Sequence, residues 1–279
     1  MLQRQHGAND NPALTGLAIF LGAMKQMLNW LTGRKEKQQY RVADGMWVAA
    51  IGDIHGQLDA LNLLLDQLLN VAAQSRAERK VLVFLGDYVD RGLKSRQVID
   101  RLLLGFDGFE THFLRGNHDE TVLQFLNDPN VGDAWRNYGG LETLASYGVP
   151  RAAFSDWPQA QAILKQNLPS AHMRFFENLE NYFVCGSYLF VHAGIRPGIP
   201  IDMQAQHDLM WIRDDFLNSN VDHGYRVVHG HTPKERPDVR PNRIGIDTGA
   251  YMTGALTAVV LDGVSVLLLD SRGRVSQAS

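Results

Sequence analysis

Apolar residues in this chain follow two rhythms. Met46-Trp47-Val48-Ala49-Ala50-Ile51, Val81-Leu82-Val83-Phe84-Leu85, Thr111-His112-Phe113-Leu114, Tyr188-Leu189-Phe190-Val191, Tyr225-Arg226-Val227-Val228 and Ile244-Gly245-Ile246 are short runs that predict strands, the first of them buried. Between the first three, leucines recur every three or four positions: Leu58, Leu61, Leu64, Leu65, Leu68 and Leu69 predict one helix, and 94–104 a second. Alternating strands and helices predict βαβ units whose right-handed crossovers bring the loops after the strands to one edge of a sheet. The runs 255–261 and 264–269 predict a closing hairpin about Asp262-Gly263. Residues 120–183 are helical in pattern, broken at Gly139-Gly140, and read as a helical insertion walling one side of that edge. No internal repeat or low-complexity tract is present.

The first 45 residues stand apart from the domain expected over 46–279. Leu14, Leu17, Ala18, Leu21, Met24, Leu28 and Leu31 give 13–31 one apolar helical face. Lys25, Gln26 and Asn29 interrupt it, which makes it short for a membrane span. No basic start or small-residue cleavage site marks it as a leader. The expectation is an amphipathic helix docked on the domain. The sharper alternative, membrane contact through 13–31, would set Trp30, Arg34, Lys35 and Lys37 among lipid head groups. The polar stretch 33–45 reads as a linker.

The residues just past each strand change the picture. The first run ends in Gly52-Asp53-Ile54-His55-Gly56, the second in Gly86-Asp87-Tyr88-Val89-Asp90-Arg91-Gly92, and the third in Arg115-Gly116-Asn117-His118-Asp119. Later runs end in His192-Ala193-Gly194 and His229-Gly230-His231-Thr232. The groups that sit after these strands are Asp53, His55, Asp87, Asn117, His192 and His231: two carboxylates, three imidazoles and an amide. That set suits two borderline divalent ions, such as Mn, Fe or Zn, better than Mg or Ca, which prefer all-oxygen shells. A shared carboxylate would hold the ions about 3.5–4 Å apart, and Asp87 is the expected bridge. Such a pair supplies hydroxide near neutral pH and neutralises phosphoryl oxygens.

Charge and cysteine content narrow the class. The 279 residues carry 27 basic and 30 acidic side chains, so no bulk positive field recommends nucleic acid as a partner. The single Cys185 excludes an intramolecular disulfide and a cysteine-rich zinc site, and fits a reducing, cytoplasmic location. Nothing in the pattern fixes an oligomeric state.

Taken in order over about 47–262, the five blocks Gly-Asp-Ile-His-Gly, Gly-Asp-Tyr-Val-Asp-Arg-Gly, Gly-Asn-His-Asp, His-Ala-Gly and Gly-His-Thr resemble the PPP-family metallophosphoesterases. Within that family they look like bacterial serine/threonine protein phosphatases of the phage-lambda type. The resemblance implies an α/β fold, the calcineurin-like metallophosphoesterase β-sandwich flanked by helices, here with the helical insertion. It implies that Asp53 and His55 bind one ion, Asp87 both, and Asn117, His192 and His231 the second. Arg91 and Arg213 would clamp the phosphate from two sides, and His118, oriented by Asp90, would protonate the leaving oxygen. The implied activity is hydrolysis of phosphoserine or phosphothreonine in phosphoproteins by metal-bound hydroxide, with phosphotyrosine as a further substrate. The alternatives are a symmetrical diadenosine-tetraphosphate hydrolase, which shares the blocks, and a non-catalytic binding scaffold. Asp247 is expected to hydrogen-bond a ligand histidine, and His229 to point away from the site. Asp214 and Asp215 read as solvated charges or a helix start, His112, His172, His207 and His223 as ordinary core or surface residues, and the tryptophans as core filler. Tyr251 follows Asp247-Thr248-Gly249-Ala250, where eukaryotic relatives carry a different motif, and receives no role.

Overall fold

The computed structural model describes residues 39–278. The expected amphipathic helix at 13–31 lies outside them.

Strands β1 (Met46–Ile51), β2 (Arg79–Phe84) and β3 (Glu110–Phe113) pair in parallel, in register Ala50↔Val83 and Val83↔His112. Helix α1 (Leu58–Gln74) crosses from β1 to β2, and α2 (Ser95–Leu103) from β2 to β3. On its other side β1 takes β9 (Thr257–Asp262) antiparallel, and β9 turns back through Gly263 into β10 (Ser265–Asp270), the expected hairpin. A short β11 (Val275–Gln277) completes this six-stranded sheet. The second sheet has the order β4-β5-β6-β8-β7: β4 (Tyr182–Cys185), β5 (Tyr188–Val191), β6 (Arg226–His229), β7 (Asp238–Val239) and β8 (Arg243–Gly245). Its strands β5, β6 and β8 are parallel.

Side-chain alternation along β1 shows how the layers hold. Val48 and Ala50 face the second sheet, packing in one cluster with Val81, Val83, Phe190, Val228, Ile244 and Val259. Trp47, Ala49 and Ile51 face the other way, onto Leu61, Leu64, Leu65 and Leu68 of α1 and Val98, Ile99 and Leu102 of α2. β1 is therefore buried on both faces, which is why it reads as an unbroken apolar run. A third cluster covers the outer face of the second sheet, where Leu189, Val191 and Val227 meet Leu209, Ile212 and Phe216. The result is a two-sheet sandwich flanked by helices.

Three boundaries differ from the sequence expectation. Tyr40–Val42 belong to the domain, not to a linker: the Val42 N–H donates to the Gly263 carbonyl, the Arg41 carbonyl accepts from Ser187, and the Val42 side chain is buried. The insertion's helices begin earlier, since Asn117–Asn127 (α3) starts directly after Gly116. Tyr182–Cys185 leaves the insertion and pairs antiparallel with β5, Phe183 against Phe190. Among the described residues no helix is long and apolar enough to cross a membrane.

Candidate metal centre

Six strands, three parallel in each sheet, end at one edge of the sandwich, and each end delivers a polar side chain: Asp53 after β1, Asp87 after β2, Asn117 after β3, His192 after β5, His231 after β6 and Asp247 after β8. Two junction glycines are required by close approach. A Cβ on Gly116 would overlap Asp87 Oδ1, and one on Gly230 would overlap Asp53 Oδ1. Neighbouring carboxylates fill the space that a side chain would take. Among the described residues, the non-glycine residues with positive φ are His55, Asp87, Asp90, Arg91 and His231, all candidate site residues. Left-handed backbone costs a non-glycine residue on the order of 1 kcal/mol or more, and such strain gathers where function demands a side-chain direction.

The Asp87 carboxylate is the hub. Its Oδ2 lies 3.6 Å from His55 Nε2 and its Oδ1 3.5 Å from His192 Nε2. Hydrogen bonds on the far side of each ring fix the tautomers. His55 Nδ1 lies 2.8 Å from the Val89 carbonyl and His192 Nδ1 2.8 Å from the Leu85 carbonyl. A carbonyl only accepts, so both Nδ1 atoms carry the proton and both Nε2 lone pairs point at a carboxylate. Beside them the Asn117 side-chain carbonyl stands 3.0 Å from His192 Nε2 and 2.9 Å from His231 Nδ1.

The Nε2 electron pairs of His55 and His192 facing the Asp87 carboxylate, and that of His192 facing the Asn117 oxygen, repel at these distances unless a cation lies between them. Two buried atoms, Asp53 Oδ1 and His231 Nε2, also lack any hydrogen-bond partner. Burial drives the rings to their neutral, ligand-competent form: it pulls His55 down to about 3 and His231 to about 2, and lowers His192. Burial, and then the nearby Asp247 and Asp87 charges, push Asp53 well above the carboxylate range. Asp87 is pushed up by burial, but the imidazoles of His192, His118 and His55 outweigh that and hold it low. The donor set fits divalent cations on both sides of Asp87. Two clusters, His55–Asp87–His118 and Asp87–His192–His231, each bring three ligand atoms within 4.8 Å of one another.

A proton-handling arm adjoins this centre. His118 Nδ1 donates to Asp90 Oδ2 at 2.6 Å. Asp90 is completely buried and also accepts from Trp135 Nε1 at 2.8 Å and from the Thr143 hydroxyl at 2.6 Å. Burial opposes a charged His118 ring, yet Asp87 and Asp90 prevail and raise its pKa. Arg91 Nη2 sits 3.2 Å from His118 Nε2, and its guanidinium lies 4.2 Å over the Tyr251 ring. Arg213 reaches the opposite rim, where its Nη1 donates to Thr232 Oγ1 at 3.2 Å, one residue from His231. Asp119 ties two loops together. Its carboxylate accepts from the backbone N–H groups of Asp87, Tyr88 and Gly116 at 2.7, 3.0 and 3.0 Å. Burial and the Asp87 charge push its pKa up to about 8 against the pull of those three donors.

The structure thus brings Asp53, His55, Asp87, Asn117, His192, His231, His118, Asp90 and Arg91 into one contact network, with Arg213 at its rim. Asp247 differs from expectation: its Oδ1 accepts from the Gly249 N–H, not from a ligand imidazole, and its charge faces Asp53. His229 points out of the centre, with Nδ1 3.1 Å from the Gly230 carbonyl. Trp135, Thr143 and Tyr251 were missed by sequence reasoning. Trp135 looks like core filler along the chain, but its indole N–H buttresses Asp90. Only the polar handle of a buried tryptophan, which needs a partner, signalled this.

The family model for calcineurin-like phosphoesterases matches residues 46–252. A relative from Anoxybacillus flavithermus, the asymmetrical bis(5'-nucleosyl)-tetraphosphatase PrpE, is 28% identical over 228 residues, covering 75% of this chain and 88% of its own. Its counterpart of the same name from Geobacillus thermodenitrificans is 29% identical over 235 residues, 77% of this chain and 90% of its own. Among solved structures, the cold-active protein-tyrosine phosphatase of a psychrophilic Shewanella superposes with a TM-score of 0.53 at 15% identity, covering 86% of this chain and 83% of that one, a likeness of fold. With its sandwich and its strand-end ligand set on the matched segment, the chain belongs to the calcineurin-like phosphoesterase family and is a metallophosphoesterase.

Proposed function

We propose that this protein is a dinuclear-metal phosphomonoesterase that removes phosphate from phosphoserine or phosphothreonine in proteins. The observation that carries the reading is Asp87, a buried carboxylate flanked by two imidazole lone pairs whose tautomers are fixed by backbone carbonyls. Asp53, His55 and Asp87 would hold one ion; Asp87, Asn117, His192 and His231 the other. Bound there, divalent manganese or a similar ion supplies water acidified for attack and neutralises phosphoryl oxygens.

The chain's own groups do the rest. Arg91 and Arg213 approach from opposite rims and bind the non-bridging oxygens, orienting the phosphorus for in-line displacement. Two arginines and two ions suit the three such oxygens of a monoester. His118, held as the imidazolium by Asp90 at Nδ1, would present its Nε2–H to the leaving oxygen and deliver that proton there, leaving a neutral ring still bonded to Asp90 through Nδ1. Trp135 and Thr143 hold Asp90, so the acid stays aimed.

A second reading has support from the relatives' names: cleavage of a dinucleoside tetraphosphate by the same machinery. One experiment separates the two. The manganese-loaded protein is given a phosphoserine peptide and, separately, diadenosine tetraphosphate, and the products are resolved by chromatography. Phosphate from the peptide is the expected result. Splitting of the tetraphosphate with no release from any phosphopeptide would overturn the first reading, and ATP plus AMP against two ADP would tell asymmetrical from symmetrical cleavage.

A further inference from the structure

The helical insertion builds something that the proposed chemistry leaves unused. Its turn Arg136–Tyr138, closed by Gly139, docks directly on Arg91. The Arg91 N–H donates to the Gly139 carbonyl at 3.1 Å. A Cβ on Gly139, whose φ is 96°, would overlap the Arg91 backbone. The docking leaves a groove of about 430 Å³ bordered by Arg91, Arg136, Asn137, Tyr138, Glu142 and Tyr251. Arg91, which borders the groove, stands 3.2 Å from His118 Nε2, so the groove adjoins the His118 side of the centre.

Its two tyrosines differ. Tyr251 already lies beneath the Arg91 guanidinium and edge-on to His55. Tyr138 is 57% exposed, and among the described residues its ring stacks on no other ring or guanidinium and its hydroxyl makes no hydrogen bond. A large aromatic side chain held out beside a cation, on a turn pinned to that cation, is placed to meet a ligand.

We infer that this groove is a subsite for aromatic leaving groups, a substrate class additional to the serine and threonine esters of the proposed reaction, and that Tyr138 is the platform on which a planar aromatic ring of such a substrate stacks. The inference rests on the assignment of Arg91 and His118 to phosphate and leaving group. The ring has two sources, a phenol esterified to the phosphate or the base of a nucleotide. The side-chain amide of Asn137 and the carboxylate of Glu142 offer polar partners for ring heteroatoms or hydroxyls, and Arg136 adds positive charge for a further phosphate. A ringless alkyl phosphate gains nothing from Tyr138.

The test is equilibrium binding by calorimetry to the manganese-loaded full chain, using pairs that do not turn over. One pair is phenylphosphonate and methylphosphonate; the other is the methylphosphonate analogues of AMP and of ribose 5-phosphate. In the wild-type protein the ring-bearing member of at least one pair is expected to bind about tenfold more tightly, the scale of one stacking contact. The pair that shows it identifies the source of the ring. Tyr138→Ala should shrink that advantage to within about twofold, and Tyr138→Phe should keep it. Equal affinities within both pairs in the wild type, or an advantage unchanged in Tyr138→Ala, would overturn the inference. Hydrolysis is scored separately: a ring preference without turnover of any substrate removes the reaction and keeps the subsite, whereas turnover without preference does the reverse.

Discussion

Replacing Asp90 by Asn tests the proton-handling arm with little change of shape. The amide oxygen can occupy the place of Oδ2, accepting from His118 Nδ1 and Trp135 Nε1, while the amide NH2 faces the Thr143 hydroxyl, which rotates to accept. What disappears is a fully buried negative charge. A hydrogen bond to a charged partner is worth about 1–2 kcal/mol more than a neutral one, so the cationic ring should be about 5- to 30-fold less populated. The sign is definite: Asp90 raises the His118 pKa, and an acid's activity falls as pH climbs through its pKa, so the alkaline limb of the pH profile should move to lower pH in Asp90→Asn. The assay compares kcat on a phosphoserine peptide, whose leaving alkoxide needs a proton, with kcat on 4-nitrophenyl phosphate, whose leaving group needs little help. The peptide rate should fall about 10-fold or more, and the nitrophenyl rate by less than about threefold. Equal losses on both substrates would show that Asp90 merely holds the site together and would refute the acid role of His118.

The same geometry gives two further outcomes. Arg213→Ala should lower kcat/KM about 10²-fold, the scale for losing one charge-stabilising donor, while metal content by elemental analysis stays at the wild-type level; an unchanged rate would mean that Arg213 serves only Thr232. Asp119→Asn should turn one of three satisfied backbone N–H groups into a buried clash of donors, costing about 1–3 kcal/mol and lowering Tm by about 2–10 °C; a wild-type melting curve would contradict its tying role.

Much of the centre was legible because of where the sheet places it. A strand buried on both faces writes itself as an apolar run, and the residues just past its end lie on the ligand edge, so Asp53, Asp87, His192 and His231 stand out along the chain, whereas the half-exposed β3 leaves Asn117 to be marked by its Gly116-Asn117-His118 block. Residues that act from the side do not. Trp135 and Thr143 meet Asp90 only because the insertion folds back across 45 and 53 positions of sequence, and no local pattern announces such a contact. Backbone direction was hidden too. Left-handed conformations are usually flagged by glycine, yet His55, Asp87, Asp90, Arg91 and His231 adopt them with full side chains, their cost offset by the fixed loops around them. The Tyr40–Val42 extension was masked by the polar company of Arg41 and Asp44, whereas its backbone bonds to Ser187 and Gly263 are set by distant strands.

The proposed chemistry turns on the Asp87 carboxylate sharing two cations. Anomalous diffraction from crystals soaked in manganese addresses that directly. Two peaks should flank Asp87 about 3.5–4 Å apart, and at least one should vanish in Asp87→Asn. A single peak away from Asp87, or no peak there at saturating manganese, would contradict the shared-carboxylate centre.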